Sequence, residues 1–327
     1  MGNPGGMPRH DRRPSRKPSI VPWAAGVIDP PSWLASRLAA LHDGPHRTGS
    51  LIVTLFGDAI VPRGGELSVV SLIEIMAAMG IGEGVVRTAA SRLSAEGWLE
   101  RRRVGRRAFY RLARAGEAVF AEATRRIYGP PPADEEGRLA LVVLAPRADR
   151  ERARDALEAA GFAAIAPGVF VAPHGRAVPD LPGLLRLAAE PAPGQGPALA
   201  ALAWPLEAIA ARYRRFLEQW EPALADDRPV EPLSALVARL LLIHDYRRVV
   251  LKDPLLPAPL LPADWPKPAA RALCGRLWHR LLEPSEAWLD AHATTESGPL
   301  PPPGPELRAR FADLSAKGEG AATSYTA

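Results

Sequence analysis

An apolar stripe at helical spacing comes just before a Gly-Ile-Gly turn in the first third of the chain. The stripe consists of Val69, Leu72, Ile73, Met76 and Met79. This spacing predicts an amphipathic helix with one buried face. Two residues are candidates for its N-cap: Ser68, and Ser71, which would form a capping box with Glu74 three positions later. The turn Gly80-Ile81-Gly82 then predicts a tight connection to another helix.

The next helix is predicted from Glu83 to Glu96, with Gly97 ending it. Its inner face consists of Val86, Ala89, Ala90 and Leu93. The side chains that point away from this core include Arg87, Thr88, Ser91 and Arg92. Arginine is able to read guanine edges bidentately, so this face predicts a helix that enters a DNA major groove.

Two short strands follow at Trp98–Arg103 and Arg107–Leu112, joined at residues 104–106. The hairpin tip is basic, and we expect its arginines to hold the phosphate backbone or the minor groove. The candidates at the tip are Arg101, Arg102, Arg103, Arg106 and Arg107. Helix, turn, helix and basic hairpin in this order predict a winged helix-turn-helix at residues 48–130. The pattern of Leu51–Phe56 fits either a strand or a buried helix, and periodicity alone does not distinguish them.

Charge supports this prediction. The 327-residue chain carries a formal charge of +5, while residues 83–128 alone contain 11 arginines and 5 glutamates. The basicity is therefore concentrated at the predicted motif, which favours DNA phosphates as the partner. The alternative is an ordinary solvated run of charge. The predicted DNA-binding residues are Arg87, Thr88, Ser91, Arg92, Arg101, Arg103, Arg106 and Arg107.

The remaining blocks predict an α+β multidomain protein. Residues 138–204 suggest strand, helix, strand and strand, then a short helix near Leu184–Ala189 and a last apolar stretch at Ala198–Ala203. That order is typical of a ferredoxin-like α/β domain. Residues 205–291 predict a helical domain. Residues 1–47 and 292–327, rich in Gly and Pro, are expected to be disordered tails.

Cationic side chains beside apolar positions in the helical domain suggest a pocket for an effector with phosphates and an apolar acyl group. The candidates are Arg212, Tyr213, Arg215, His244, Tyr246, Arg247 and Arg248. The alternative is a pair of core helices with solvated arginines. Adjacent His244 and Asp245 do not face each other on a helix, so they predict no catalytic pair. We assign no catalytic residue, metal or cofactor, and we interpret the single Cys274 as a buried apolar residue.

Several segments resemble the PaaX family of transcriptional repressors. In the first block these are Leu51–Asp58, Pro62–Glu66, Val86–Thr88, Arg92-Leu93, Glu96–Leu99, Arg106-Arg107 and Tyr110–Leu112. In the third block they are His244–Arg248, Asp253-Pro254, Leu256-Pro257 and Leu260–Pro266. Two separated matches in the same order make the resemblance specific over about residues 48–290, although the N-terminal extension departs from the family pattern.

The resemblance implies a repressor of a catabolic operon such as that for phenylacetate. It implies a winged helix, a ferredoxin-like middle domain and a helical C-terminal domain, and it makes Leu51–Phe56 a helix. It further implies a homodimer on palindromic double-stranded DNA, released by an acyl-CoA effector such as phenylacetyl-CoA. Separately, no apolar run approaches membrane length and no secretory signal pattern is present, which predicts a cytoplasmic protein. The competing hypothesis is an enzyme that binds or hydrolyses acyl-CoA and is basic only incidentally.

Overall fold

The structure is a computed structural model that describes residues 28–43, 48–131, 137–146 and 148–314. Helices and antiparallel sheets are both present, so the chain has the α+β character expected from its sequence. No helix in these described ranges is long and apolar enough to cross a membrane. The predicted tail residues 1–27, 44–47 and 315–327 lie outside the described residues.

The chain begins with helices α1 (Ser32–Asp43) and α2 (Thr48–Leu55), and α2 continues into a π-helical turn at Phe56–Ile60. Segment Leu51–Phe56 is therefore helical, as the family resemblance implied. The following elements are β1 (Glu66–Ser68), α3 (Val69–Ala78), α4 (Glu83–Ala95), β2 (Leu99–Val104), β3 (Arg107–Leu112) and α5 (Glu117–Tyr128). The three strands form an antiparallel sheet in the order β1-β3-β2.

Local chemistry explains the ends of these helices. Ser68, rather than Ser71, caps α3, because its hydroxyl accepts a hydrogen bond from the Ser71 amide. Gly80 and Gly97 have φ angles of 73° and 78°, which close the turns after α3 and α4 without a Cβ clash. The sequence pattern therefore located both turns correctly.

The middle sheet contains β4 (Leu139–Leu144), β5 (Ala163–Ala166), β6 (Val169–Pro173) and β7 (Leu184–Ala189). Its strands are antiparallel in the order β5-β6-β4-β7, and α6 (Arg150–Ala159) joins β4 to β5. Two predictions here were wrong. Leu184–Ala189 is a strand rather than a helix, because it pairs along its whole length with β4, and the apolar stretch at Ala198–Ala203 belongs to helix α7 (Gly196–Ala203).

Helices α8 (Leu206–Ala225), α9 (Pro232–Val250) and α10 (Lys267–His292) form the helical block predicted at residues 205–291. Helix α9 is buried along most of its length, and it contacts α10 and α8 as well as α2, α3 and α5. Buried residues of the first and third blocks consequently form one continuous core. A helix that is apolar on all sides is expected in such an interior position.

Both expected tails are partly folded, which corrects the prediction of disorder. Trp33, Leu34 and Leu38 of α1 are buried in the main core. After α10, the chain forms the short strands β8 (Thr294–Thr295) and β9 (Gly298–Pro299) and the single-turn helix α11 (Pro305–Arg308). Leu300, Leu307 and Phe311 of this C-terminal segment are buried too. The C-terminal anchors Leu300, Leu307 and Phe311 are isolated in the sequence, so they produce no periodic pattern.

Candidate nucleic-acid interface

Helix α4 has one buried face and one exposed face. Val86, Ala90 and Leu93 are buried, whereas Ala89 is half-buried. The predicted groove residues Arg87, Thr88, Ser91 and Arg92 are all exposed. The 3.6-residue period of the sequence therefore located the solvent face of this helix correctly.

The charged groups on α4 are held only by weak local contacts. The Arg87 Nε lies 2.7 Å from a Glu83 carboxylate oxygen, and the Arg92 Nε lies 3.3 Å from one of Glu96. Each is an exposed pair four residues apart, a type of contact that contributes about 0.3–0.5 kcal/mol. Both guanidinium groups are therefore able to exchange these partners for phosphates or base edges at little cost.

The β2–β3 hairpin presents a second basic surface. Arg101, Arg103, Arg106 and Arg107 are all exposed, and Gly105 turns the chain with a φ of 57°. The register pairs Arg101 with Tyr110 and Arg103 with Ala108, so these two arginines lie on one face of the hairpin. Phe109 and Tyr110 of β3 are buried, which anchors the hairpin to the core.

The hairpin and α4 adjoin each other. A short turn joins α4 to β2, in which the Trp98 amide donates a 2.9 Å hydrogen bond to the Leu93 carbonyl, and the two elements are in contact. Trp98 also packs edge-on against Phe120 of α5. An exposed basic helix and an exposed basic hairpin thus lie on adjoining elements, which makes them a candidate site for a polyanion.

Sequence reasoning missed a contact between this hairpin and the C-terminal segment. Arg102 lies on the opposite face from Arg101, and its Nη1 is 2.8 Å from a carboxylate oxygen of Glu296, in the turn between β8 and β9. The Glu296 amide in turn donates to Glu66 of β1 at 2.8 Å. No pattern in the sequence links residues almost two hundred positions apart.

A buried ionic cluster around Asp58 joins the first block to the third, and no pattern in the sequence indicates it. Asp58, in the π-helical turn, is fully buried, with a carboxylate oxygen 2.7 Å from Arg239 Nε and one 3.2 Å from Arg310 Nη1. Tyr128 Oη and Trp278 Nε1 donate to the same carboxylate at 2.7 and 3.1 Å. Burial and the Asp58 charge together raise the pKa of Tyr128 well above its usual value, so the phenol stays a hydrogen-bond donor.

The seven predicted effector residues do not converge on one cavity. Tyr213 and Tyr246 belong to the core: the Tyr213 hydroxyl donates to Asp253 at 2.7 Å, and Tyr246 packs between Phe216 and Phe311. Three of the seven side chains, Arg212, Arg215 and Arg248, are exposed. In this region the core-helix alternative describes the structure better than a pocket does.

The other two predicted effector residues contact α2. His244 Nδ1 lies 3.2 Å from Thr54 Oγ1, and burial, together with Arg247 and Arg248, lowers the pKa of His244 to about 3. Arg247 donates to the Ser50 carbonyl at 3.0 Å and to its hydroxyl at 2.6 Å. Arg247 also lines a cavity of about 180 Å³ between α2, α5 and α9. These contacts hold the first block against the third.

Comparisons with known proteins agree with the family resemblance. Residues 47–116 match the family described as PaaX-like protein, and residues 204–291 match the PaaX-like protein C-terminal domain. The chain is 35% identical over 303 residues to the transcriptional repressor PaaX of Escherichia coli strain K12, covering 86% of this chain and 95% of that protein. It is also similar to the uncharacterized protein Rv0674 of Mycobacterium tuberculosis, at 23% identity over 73% of this chain and 97% of the other, with a TM-score of 0.48.

A family of transcriptional repressors thus accounts for both separated matches. The chain belongs to the PaaX family. By this membership it is a transcriptional repressor and not an enzyme, so the competing hypothesis of an acyl-CoA hydrolase is wrong.

Proposed function

We propose that this repressor binds double-stranded operator DNA through a winged helix-turn-helix formed by residues 48–130. Helix α4 would lie in the major groove, where Arg87, Thr88, Ser91 and Arg92 contact base edges. Arg101, Arg103, Arg106 and Arg107 of the hairpin would contact the phosphate backbone or the minor groove. The observation that carries this proposal is that all eight side chains are exposed on two adjoining elements.

The remaining parts of the proposal rest on family membership. The repressor would act in the cytoplasm as a homodimer on a palindromic operator of a catabolic operon. An acyl-CoA thioester, such as phenylacetyl-CoA, would release it by binding the DNA-free state more tightly than the DNA-bound state. The antiparallel order β5-β6-β4-β7 fits a ferredoxin-like middle domain that lacks the helix before its last strand.

DNA binding is tested by fluorescence anisotropy of the full-length protein on its own promoter region, against a shuffled duplex of the same length. We expect selective binding whose affinity falls steeply between 50 and 200 mM salt, on the order of a thousandfold if six or more phosphates are contacted. Equal affinity for both duplexes, or an affinity independent of salt, would refute the proposal. Adding phenylacetyl-CoA and then free coenzyme A to the bound complex tests the effector class.

A further inference from the structure

A large cavity lies away from the residues that the sequence suggested for the effector. Its lining includes the end of β6 and the loop after it, residues 173–177, and the segment between α9 and α10 together with the start of α10, residues 255–268. Residues 313–314 of the C-terminal segment close one side. Its volume of about 850 Å³ lies within the usual range of sites for small molecules and cofactors.

The lining combines an apolar wall with an excess of positive charge. The apolar wall includes Leu255, Leu256, Leu261 and Trp265. Arg176, Lys267 and Arg271 supply three cations, against the single carboxylate of Asp313. Asp313 accepts two 2.8 Å hydrogen bonds from Arg271, so these two charges largely compensate each other. Arg176 is left to attract an anion, and Lys267 adds a positive charge that Asp253 partly compensates.

These two cations differ in their surroundings. Arg176 is exposed and has no ion pair within the described residues. Lys267 is mostly buried, with its Nζ 3.3 Å from an Asp253 oxygen that also accepts from the Tyr213 hydroxyl. Burial lowers the pKa of Lys267. An anion in the cavity would therefore gain a mobile cation at the mouth and a fixed one at the wall.

Two further observations indicate a built site rather than a packing defect. Leu255 has a φ of 58°, a conformation that a leucine rarely adopts, and its amide is held by a 2.7 Å hydrogen bond to Asp253. Such strained residues cluster at ligand sites. The indole nitrogen of Trp265 is buried and has no hydrogen-bond partner within the described residues. Buried donors without partners are rare in folded proteins, so this wall of the cavity leaves one polar group unsatisfied.

The cavity wall is bonded directly to the first block. Arg271 Nη2 donates to the carbonyls of Tyr128 and Gly129, at the C-terminal end of α5, at 3.3 and 2.8 Å. The Phe311 amide donates to the same Tyr128 carbonyl at 3.2 Å. An anion that draws Arg271 away from Asp313 would therefore alter contacts at the end of the helix that follows the basic hairpin.

We infer that this cavity binds an organic anion with an apolar portion and is the effector site of the repressor. The apolar portion lies against Leu261 and Trp265, and the anionic group lies near Arg176 and Lys267. The inference names the site that the proposed function requires, and to that extent it rests on the proposed function.

Binding itself is tested without DNA, by calorimetric titration of the full-length protein with anilinonaphthalene sulfonate, an aromatic anion. Ala177 is exposed and lines the cavity, so Ala177→Trp fills the site without disturbing the core. Arg176→Glu reverses the charge at the mouth. The matched controls are Ala211→Trp, at an exposed position on α8, and Arg152→Glu, at an exposed position on α6.

We expect each lining variant to weaken binding by about tenfold or more, and each control to bind as the wild type does. Absence of binding to the wild type, or equal binding by all five proteins, would overturn the inference. Circular dichroism checks that every variant is folded. If Ala177→Trp does not fold, Arg176→Glu still tests whether the cavity binds the anion.

The regulatory role is tested with promoter DNA and phenylacetyl-CoA. If the wild type does not select its promoter, the proposed function fails while the calorimetric result stands. If phenylacetyl-CoA releases the wild type but requires about tenfold more ligand to release Ala177→Trp, the effector role is supported. Equal release of both proteins overturns the assignment of the cavity and leaves the proposed function intact.

Discussion

Replacing Asp58 by asparagine tests how the first block is held to the helical block. The change keeps the size of the side chain and one acceptor oxygen, but it removes the negative charge between Arg239 and Arg310. Arg239 retains an ion pair with Glu286. Arg310, by contrast, loses its carboxylate and keeps hydrogen bonds to the carbonyls of Gly57 and Asp58 and a cation–π contact with the Tyr128 ring.

The magnitude follows from that asymmetry. Removing one partner of a buried ion pair costs about 3–5 kcal/mol, because the remaining charge stays buried without compensation. We therefore expect Asp58→Asn to lower the free energy of unfolding by about 3 kcal/mol, since one of the two arginines keeps a carboxylate. That loss is a large fraction of the roughly 5–15 kcal/mol by which proteins are stable.

Urea unfolding followed by circular dichroism measures this change. The matched control is Asp264→Asn, which removes an exposed pair with Arg214 and is expected to change stability by less than about 0.5 kcal/mol. Adding Arg310→Gln to Asp58→Asn removes the uncompensated charge and should restore part of the loss. A loss below about 1 kcal/mol for Asp58→Asn would refute the reasoning, because the cluster would then not be a buried electrostatic unit.

Three further predictions concern the DNA surface and the interface with α2. If Arg87 makes a bidentate base contact, Arg87→Ala should weaken binding to the promoter by about 1–3 kcal/mol without changing stability in urea. The control Arg212→Ala should leave the affinity unchanged. An equal loss of affinity for shuffled DNA would contradict base reading by Arg87. Arg106→Ala should weaken binding to both duplexes and reduce the slope of log affinity against log salt by about 1, as anisotropy at several salt concentrations would show. Because the pKa of His244 falls from 6.5 to about 3 on folding, the folded state prefers neutral imidazole, and its stabilisation is complete above pH 6.5 and is lost as the pH falls toward 3. His244→Gln should therefore reduce the loss of stability between pH 7.5 and 5 by up to about 1.4 kcal/mol per unit below 6.5, which urea unfolding at both pH values would measure.

The sequence predicted the exposed basic faces of α4 and of the hairpin well because their exposure depends on local rules. The period of α4 separates buried Val86 and Leu93 from exposed Arg87, and the glycines at 80, 97 and 105 mark turns that the structure forms. The two strands of a hairpin pair with residues that are close in the sequence, so the predicted bounds of β2 and β3 were nearly correct. The separated family motifs added the helical assignment of Leu51–Phe56.

The wrong assignment of Leu184–Ala189 shows where local propensity fails. Leu, Arg and Ala favour helices, so the segment looked helical. Its six residues nevertheless pair with β4, because the open edge of that strand offers hydrogen bonds and apolar neighbours that an isolated turn of helix lacks. Helix propensity differs by only fractions of a kcal/mol per residue among these types, and tertiary pairing exceeds it.

By itself, the sequence determined α3, α4, the basic hairpin and the exposed arginines, since each depends on neighbours within a few positions. Two separated groups of motifs determined the family. Only the tertiary structure decided that the first and third blocks share one core, that Asp58 lies between Arg239 and Arg310, and that the C-terminal segment packs. It also decided that Tyr213 and Tyr246 are core residues, whereas residues 173–177 and 255–268 enclose a cavity. Burial depends on which distant elements meet, and that information is absent from any short stretch of the chain.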